Sequence, residues 1–391
     1  MHPMGRIYLD HHATTPIDPR VFKAMKPYLE ERFGNAASRE HDFGREAADA
    51  VEAARAQVAA LIGCDPAEIV FTSGATESDN LAIKGLGRKD ARDTIVTAAT
   101  EHPAVLDSCS AVERAGNLKV VRLKVGPDGL MAARDLKSAV NECTLLVSVM
   151  FANNEIGVIQ DIPAIGALCK ERGALFHTDA AQAAGKVPID VRAMDIHLLS
   201  ISAHKLYGPK GIGALYVRKR NPRVKLQPLI DGGGHEGGRR SGTLNVPAIV
   251  GFGAACEIAR AGMKAEAARL KKLRNRLWEG MSRLDQVTLN GHPEKRLPGN
   301  LNVSFKYVES ESLMVALDGI AVSSGAACTT TKAEPSHVLR ALGLPEDLAR
   351  ASVRFGLGRF TTAEEIDTVI ARVVSAVEKL RKLSPLYKEK S

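Results

Sequence analysis

Strand-like apolar runs alternate with helical stretches through the first 220 residues, and this alternation most limits the folds open to the chain. Residues 68–73, 94–98, 120–125, 145–150, 174–177, 196–202 and 213–217 read as strands. Residues 75–87, 103–115 and 162–172 read as helices, the second with Pro103 in its first turn. Strands that return through helices line up side by side, which predicts an α/β fold with a mostly parallel sheet. From about Val246 the pattern becomes a long helix running past Trp278. Shorter strands follow at 302–305, 320–322 and 352–355, mixed with helices, and read as a smaller α+β domain. The segment before Ala47 is expected to pack partly with that second domain. No low-complexity linker or internal repeat separates the two parts, so tight docking is expected.

In an open parallel sheet, ligands collect at the carboxyl ends of the strands. Four polar stretches fall there. Thr72-Ser73-Gly74-Ala75-Thr76-Glu77 turns a strand into a helix whose first N–H groups, with the Thr76 hydroxyl, make an anion seat; a plain helix cap is the alternative. Glu101-His102-Pro103 places His102 at the sheet edge facing a cleft, where it could stack on a ring or move protons, or be an ordinary loop histidine. His177-Thr178-Asp179-Ala180-Ala181-Gln182 ends a strand in a carboxylate that can pair with a protonated pyridine nitrogen, or cap the next helix; Gln182, one turn on, could reach a ring oxygen. Ser202-Ala203-His204-Lys205 ends an apolar run in a lysine, which suits a Schiff base with an aldehyde cofactor, unless the amine is simply solvated. Continued strand alternation would point Ser202 and His204 one way, toward a phosphate, and Lys205 the other.

Together these residues supply an anion seat, a ring stacker, a pyridinium partner and an imine-forming lysine, with pyridoxal phosphate the leading cofactor. At that point the chain resembles the cysteine desulfurases of the iron–sulfur-cluster and nitrogenase type, within the class V aminotransferase family of fold-type I pyridoxal-phosphate enzymes. The matching stretches are Tyr8-Leu9-Asp10 with Ala13-Thr14-Thr15-Pro16, Phe71 to Ser78, Asn153-Asn154-Glu155-Ile156-Gly157, Ser202-Ala203-His204-Lys205, Arg240-Ser241-Gly242-Thr243 and Ser323-Ser324-Gly325-Ala326-Ala327-Cys328. The similarity runs from about Ile7 to about Pro385. It implies a large cofactor-binding domain over 15–258 and a small domain of 1–14 with 259–391, the latter carrying a mobile cysteine loop at about 323–335.

By the same resemblance Lys205 carries the cofactor, Asp179 partners the pyridine nitrogen, and Gln182 and His102 hold the ring. Ala75, Thr76, Ser202 and His204 hold the phosphate. Thr243 reaches the phosphate of the neighbouring subunit, which implies a homodimer, and Asn154 and Arg354 contact the substrate carboxylate. Cys328 lies among small residues and hydroxyls, with little to pack in a core. A thiolate is a soft nucleophile suited to attack on sulfur. The expected reaction is removal of sulfur from L-cysteine, leaving L-alanine and a Cys328 persulfide, with His102 as proton partner to Lys205. The sulfur would pass to an iron–sulfur scaffold or another acceptor, and Cys328 could serve transiently as an iron–sulfur ligand with that partner. Alternatives are a selenocysteine lyase or aminotransferase on the same scaffold, or a non-catalytic scaffold or RNA-binding protein. Two features depart from the family pattern: His11-His12, and Phe151-Ala152 before Asn153. The chain also stops before the longer tail with which some members dock a scaffold.

Bulk properties narrow the setting. Of 391 residues, 45% are hydrophobic and 25% charged, enough for two cored domains. No uninterrupted apolar run approaches the roughly 20 residues of a membrane span, and Met1–Arg6 is not followed by an apolar signal core. A cytoplasmic protein without a membrane partner is expected. Six cysteines without a Cys-x-x-Cys pair argue against a disulfide framework or zinc knuckle, and all but Cys328 read as small core residues. The net charge of +8 is spread along the chain. Its densest stretches, Arg218-Lys219-Arg220 and Lys271-Lys272-Leu273-Arg274, read as a solvated loop and helix face, with docking of an acidic partner or RNA as the alternative. No direct nucleic-acid contact is expected.

Overall fold

A computed structural model describes residues 5–87, 92–324, 335–385 and 387. In chain order the strands are β1 (Ile7–Tyr8), β2 (Ile69–Thr72), β3 (Thr94–Ala98), β4 (Lys119–Leu123), β5 (Thr144–Ser148), β6 (Leu175–Asp179), β7 (Leu198–Ser202), β8 (Gly213–Val217), β9 (Val287–Leu289), β10 (Asn300–Phe305), β11 (Ile320–Ala321), β12 (Ser323–Ser324) and β13 (Ser352–Gly356). The α-helices are α1 (Pro19–Glu30), α2 (Asp42–Ile62), α3 (Ala75–Lys84), α4 (Pro103–Arg114), α5 (Ala133–Ala139), α6 (Ile162–Arg172), α7 (Val246–Met281), α8 (Ser310–Ala316), α9 (His337–Ala341), α10 (Glu346–Arg350) and α11 (Ala363–Leu383).

Seven strands form one sheet in the order β2-β8-β7-β6-β5-β3-β4. Its centre is parallel; β8 alone runs against both of its neighbours. β5, β6 and β7 are buried along their whole length, as strands covered by helices on both faces must be. The carboxyl ends of β2, β3, β5, β6 and β7 therefore open on one rim. A second, antiparallel sheet has the order β12-β13-β10-β9, and β1 pairs with β11 in a two-stranded ladder.

The two sheets sit on separate apolar cores, and α7 is shared between them. Its first part (Val246, Phe252, Cys256, Ala259) packs into the core of the large sheet. Its last part (Leu270, Leu273, Leu277, Met281) packs into a second core with Ile7, Leu9, Phe305, Phe355 and Val373. By length and composition α7 is long and apolar enough to cross a membrane, and half of its most apolar stretch is buried inside the fold. The N-terminal segment crosses from one core to the other. Leu9 pairs with Ala321 of β11 and His11 with Gly356 of the second sheet, then Thr15 and Asp18 pair with His204 and Tyr207 beside the large one. Beyond it, α1 and α2 lie on α7.

Three expectations change. Ser202 is the last strand residue, and Ala203–Lys205 forms a single 3₁₀ turn, so the alternation expected through Lys205 does not continue. Cys143 is exposed: it sits in a turn where its N–H donates to Asn141 Oδ1 at 2.9 Å, whereas Cys109, Cys169 and Cys256 are buried and Cys64 half-buried. The two basic stretches are not simply solvated. Arg218 turns inward to the carbonyls of Val191 and Asn221, and Arg274 to Asn275 and the carbonyl of Leu297.

Two glycines of α7 make a matched test of its packing. A Cβ at Gly253 would lie 2.7 Å from Ala54 Cα of α2, whereas one at Gly262 would meet nothing within 4 Å. Urea unfolding should show Gly253→Ala destabilised by about 1–3 kcal/mol. Gly262→Ala should be stabilised by up to about 1 kcal/mol.

Candidate active site

The strand ends enclose a cleft of about 590 Å³. Of the residues picked out from the sequence, Ala75, Thr76, His102, Asn154, Asp179, Gln182, Ser202, His204, Lys205 and Arg354 all line it. Thr243 does not; it is exposed on the segment before α7. Cys328 lies outside the described residues.

Lys205 owes its place to the 3₁₀ turn after β7. Its Nζ donates to the carbonyls of His12 and, at 2.6 Å, Ala13, both on the N-terminal segment. Main-chain carbonyls solvate an ammonium only in part. Burial, reinforced by the Arg354 guanidinium, pushes the amine down from 10.5 to about 8, against the opposing pull of Asp179 and Asp10. Near neutral pH the cleft therefore holds an amine within reach of its nucleophilic form.

An anion seat faces it. Gly74 precedes α3 without any side-chain cap, so the first N–H groups of that ten-residue helix remain for a ligand. The turn packs against the start of β8 so closely that a Cβ on Gly213 would fall 2.7 Å from Gly74 Cα. Ser202 and His204 line the same end of the cleft. Burial first, then the Lys205 and Lys210 cations, push His204 down to about 4, so at neutral pH it is an uncharged donor or acceptor. Glu77 braces the seat, accepting from the Ser73 N–H at 2.7 Å and from Arg240 Nε at 2.9 Å.

The middle of the cleft holds Asp179, His102 and Gln182. One Asp179 oxygen accepts from the Ala181 N–H at 2.8 Å. Burial raises its proton affinity, opposed by that N–H, His102 and Lys205. Asp79 and Glu101, fully buried nearby, are pushed much further toward the neutral acid by desolvation. Asp179 is thus the acid of the three that lines the cleft and is drawn back toward its anion. His102 caps α4, its Nδ1 accepting from the Ala104 N–H at 3.1 Å. The neutral ring therefore carries its proton on Nε2, and burial lowers its affinity for a second one. Gln182 grips His12 at two points: Oε1 accepts from Nδ1, and Nε2 donates to the carbonyl, each at 2.9 Å.

At the far side Arg354 rises from β13. Its Nη1 donates to the Asn154 carbonyl and its Nη2 to Asp10 Oδ1, both at 2.8 Å, while its buried Nε has no hydrogen-bond partner among the described residues. Asp10 also accepts from Ser323 at 2.8 Å. On the other side of residues 325–334, Ser336 donates to Glu155 and His337 meets the Glu101 carbonyl. Both flanks of the stretch that contains Cys328 are thus fastened beside the cleft.

This donor set fits pyridoxal phosphate. It offers an uncapped helix start and hydroxyls for the phosphate, a buried carboxylate for a pyridinium, and an amine of lowered proton affinity for the aldehyde. Sequence reasoning missed Asp10, Glu77 and His12, although all three stand in or beside the motifs it quoted. Their partners, Arg354, Arg240 and Gln182, lie far along the chain.

Residues 7–369 match the family model "Aminotransferase class-V". A relative from Anaeromyxobacter sp. (strain Fw109-5), named "Cysteine desulfurase IscS", is 58% identical over 384 residues, covering 97% of this chain and 95% of its own. A relative of the same name from Klebsiella pneumoniae is 54% identical over 385 residues, with the same coverage. A solved structure described as "NIFS-LIKE PROTEIN" superposes with a TM-score of 0.88 at 38% identity, covering 96% of this chain and 99% of that one.

The Lys205 environment is testable by competitive acetylation with peptide mass mapping. Lys205 should be half-reactive near pH 8. Exposed lysines should be half-reactive near about 10.4.

Proposed function

This chain belongs to the aminotransferase class-V family and is a cysteine desulfurase, and from that we propose that pyridoxal phosphate is carried on Lys205 and that Cys328 receives the sulfur. The observation that carries the reading is the meeting of Lys205, Asp179 and the uncapped start of α3 in one cleft. When bound, pyridoxal phosphate supplies an electron-withdrawing ring that makes the α-proton and the β-substituent of an amino acid labile.

The chain's own residues supply the rest. The α3 N–H groups, Thr76, Ser202 and His204 hold the phosphate, and Asp179 keeps the ring nitrogen protonated. Gln182 and His102 hold the ring, with His102 presenting an N–H because its Nδ1 is spent on α4. Asn154 and Arg354, which both line the cleft, receive the carboxylate of L-cysteine, and Asp10 fixes the angle of the guanidinium. The Lys205 amine, neutral over a good part of the population near pH 8, takes up and returns the α-proton. The Cys328 thiolate would attack the substrate sulfur; the sulfur–sulfur bond forms as the carbon–sulfur bond breaks, its electron pair stays with the β-carbon, and that carbon gains the proton the substrate thiol gives up, leaving L-alanine and a Cys328 persulfide.

The persulfide then serves a sulfur acceptor, an iron–sulfur scaffold or a thiolation relay, and Cys328 can ligate a nascent cluster with that partner. Thr243, exposed on a segment tied to the anion seat through Arg240 and Glu77, serves the phosphate of a second subunit in a homodimer. The division into 15–258 and 1–14 with 259–391 is supported by two of the apolar cores, which part inside α7, while a smaller core of Ile156, Val158, Val338 and Leu339 spans both parts.

Replacement of Cys328 by Ser should cut alanine release and persulfide formation from L-cysteine by at least about a hundredfold, with pyridoxal phosphate binding retained. Full turnover in that variant, or amino transfer to a keto acid at the native rate of alanine release, would overturn the reading.

A further inference from the structure

A second, enclosed cavity lies behind the cleft, and His12 and Lys205 line both. It has room for about 30 Å³, enough for one or two water molecules. Lys186 enters it from the segment after β6. No role in the reaction has fallen to this lysine so far, yet its contacts lead to the centre of the cleft. Its Nζ donates to Gln182 Oε1 at 3.2 Å. The same Oε1 lies 2.9 Å from His12 Nδ1, and Gln182 Nε2 donates to the His12 carbonyl at 2.9 Å. That carbonyl accepts from Lys205 Nζ.

A lysine amine beside a carboxamide donates, so the atom facing Lys186 is the amide oxygen. It follows that His12 Nδ1 bears the ring proton, and that Gln182 Nε2 faces the His12 carbonyl. His12 is 3% exposed, and its Nε2 has no hydrogen-bond partner among the described residues. Nothing else in its ring therefore fixes its orientation by hydrogen bonding. The carboxamide does so, and Lys186 fixes the carboxamide.

We propose that Lys186 is a positioning residue for the Lys205 amine: it locks Gln182, Gln182 locks His12, and the His12 carbonyl seats Lys205 Nζ. This rests on the reading of Lys205 as the residue that captures pyridoxal phosphate. The groups that face Lys186 are His11 and His12 on the N-terminal segment, Lys205 and Tyr207 on the turn after β7, Glu266 on α7, and Arg354 and Arg359 on and after β13. Burial first, then the Lys205 cation, push Lys186 down to about 7, against Glu266. A primary amine of that affinity can stand beside Lys205 partly uncharged and donate an N–H in either form. A permanent cation there would instead favour the neutral form of Lys205 more strongly and lower its midpoint.

The test compares the protein freed of cofactor with Lys186→Met and Lys186→Arg. The rate of covalent pyridoxal phosphate capture is followed from about pH 6 to about 10, across the range in which a perturbed lysine titrates. Borohydride fixation and peptide mapping then locate the adduct. In the native protein the rate should rise with pH to a plateau, with a midpoint near 8, as Lys205 loses its proton. Lys186→Met should lower the plateau at least about fivefold, since a misplaced nucleophile loses rate at any pH. Lys186→Arg keeps a donor, so it should hold the plateau within about twofold of native and move the midpoint below 8. A native plateau in Lys186→Met overturns the proposal, as does a Lys186→Arg plateau as low as that of Lys186→Met. An adduct away from Lys205 in the native protein overturns the cofactor reading and this proposal with it. An adduct on Lys205 with an unaltered Lys186→Met plateau overturns this proposal alone.

Discussion

The structure is organised around an amine that the fold will not fully solvate. β7 is buried from end to end, and one 3₁₀ turn after it delivers Lys205 to the rim with two main-chain carbonyls as its hydrogen-bond partners. An ammonium in that setting either recruits a counter-ion or gives up its proton more readily. The nearby acids Asp179 and Asp10 pull it back only in part, because Arg354 pushes the other way. The neighbouring features answer that condition: a buried acid whose rise in proton affinity is opposed by an N–H, His102 and Lys205, histidines that burial keeps neutral, and the uncapped start of α3.

Two apolar cores keep these parts in register. The large sheet supplies the strand ends, the second sheet supplies Arg354 and, in β12, one flank of the stretch that contains Cys328, and the start of α9 supplies the other flank. The joints between them are apolar as well as polar: Ile156 and Val158 pack with Val338, Leu339, Leu342 and Ala349. Asp10 pairs with Arg354 at 2.8 Å, and Arg359 pairs with Asp18 and Glu266 at 2.8 Å each while lying over the Tyr207 ring. Such partly desolvated pairs add orientation more than net stability. α7, whose two ends enter different cores, adds a continuous apolar tie between the halves.

Much of this was legible along the chain, for a physical reason. Strand identity and the polar residues at strand ends are local properties, so the parallel sheet and the convergence of His102, Asp179 and Lys205 could be read from pattern alone. Misreadings came where a local rule met a tertiary constraint. Alternation through Ser202–Lys205 fails because the strand stops at Ser202 to make the turn that aims the lysine. Arg218 and Arg274 looked like solvated charges because their carbonyl partners at Val191 and Leu297 lie elsewhere in sequence. Lys186 gave no signal at all. It follows Ala183-Ala184-Gly185, and its meaning depends on Gln182, one turn away, being joined to His12.

The most direct test is the electron density of crystals grown with pyridoxal phosphate. The account predicts continuous density from Lys205 Nζ to the cofactor, with the ring nitrogen facing Asp179 and the phosphate at the first turn of α3. A cofactor bound elsewhere, or seated in the cleft without a bond to Lys205, would contradict it.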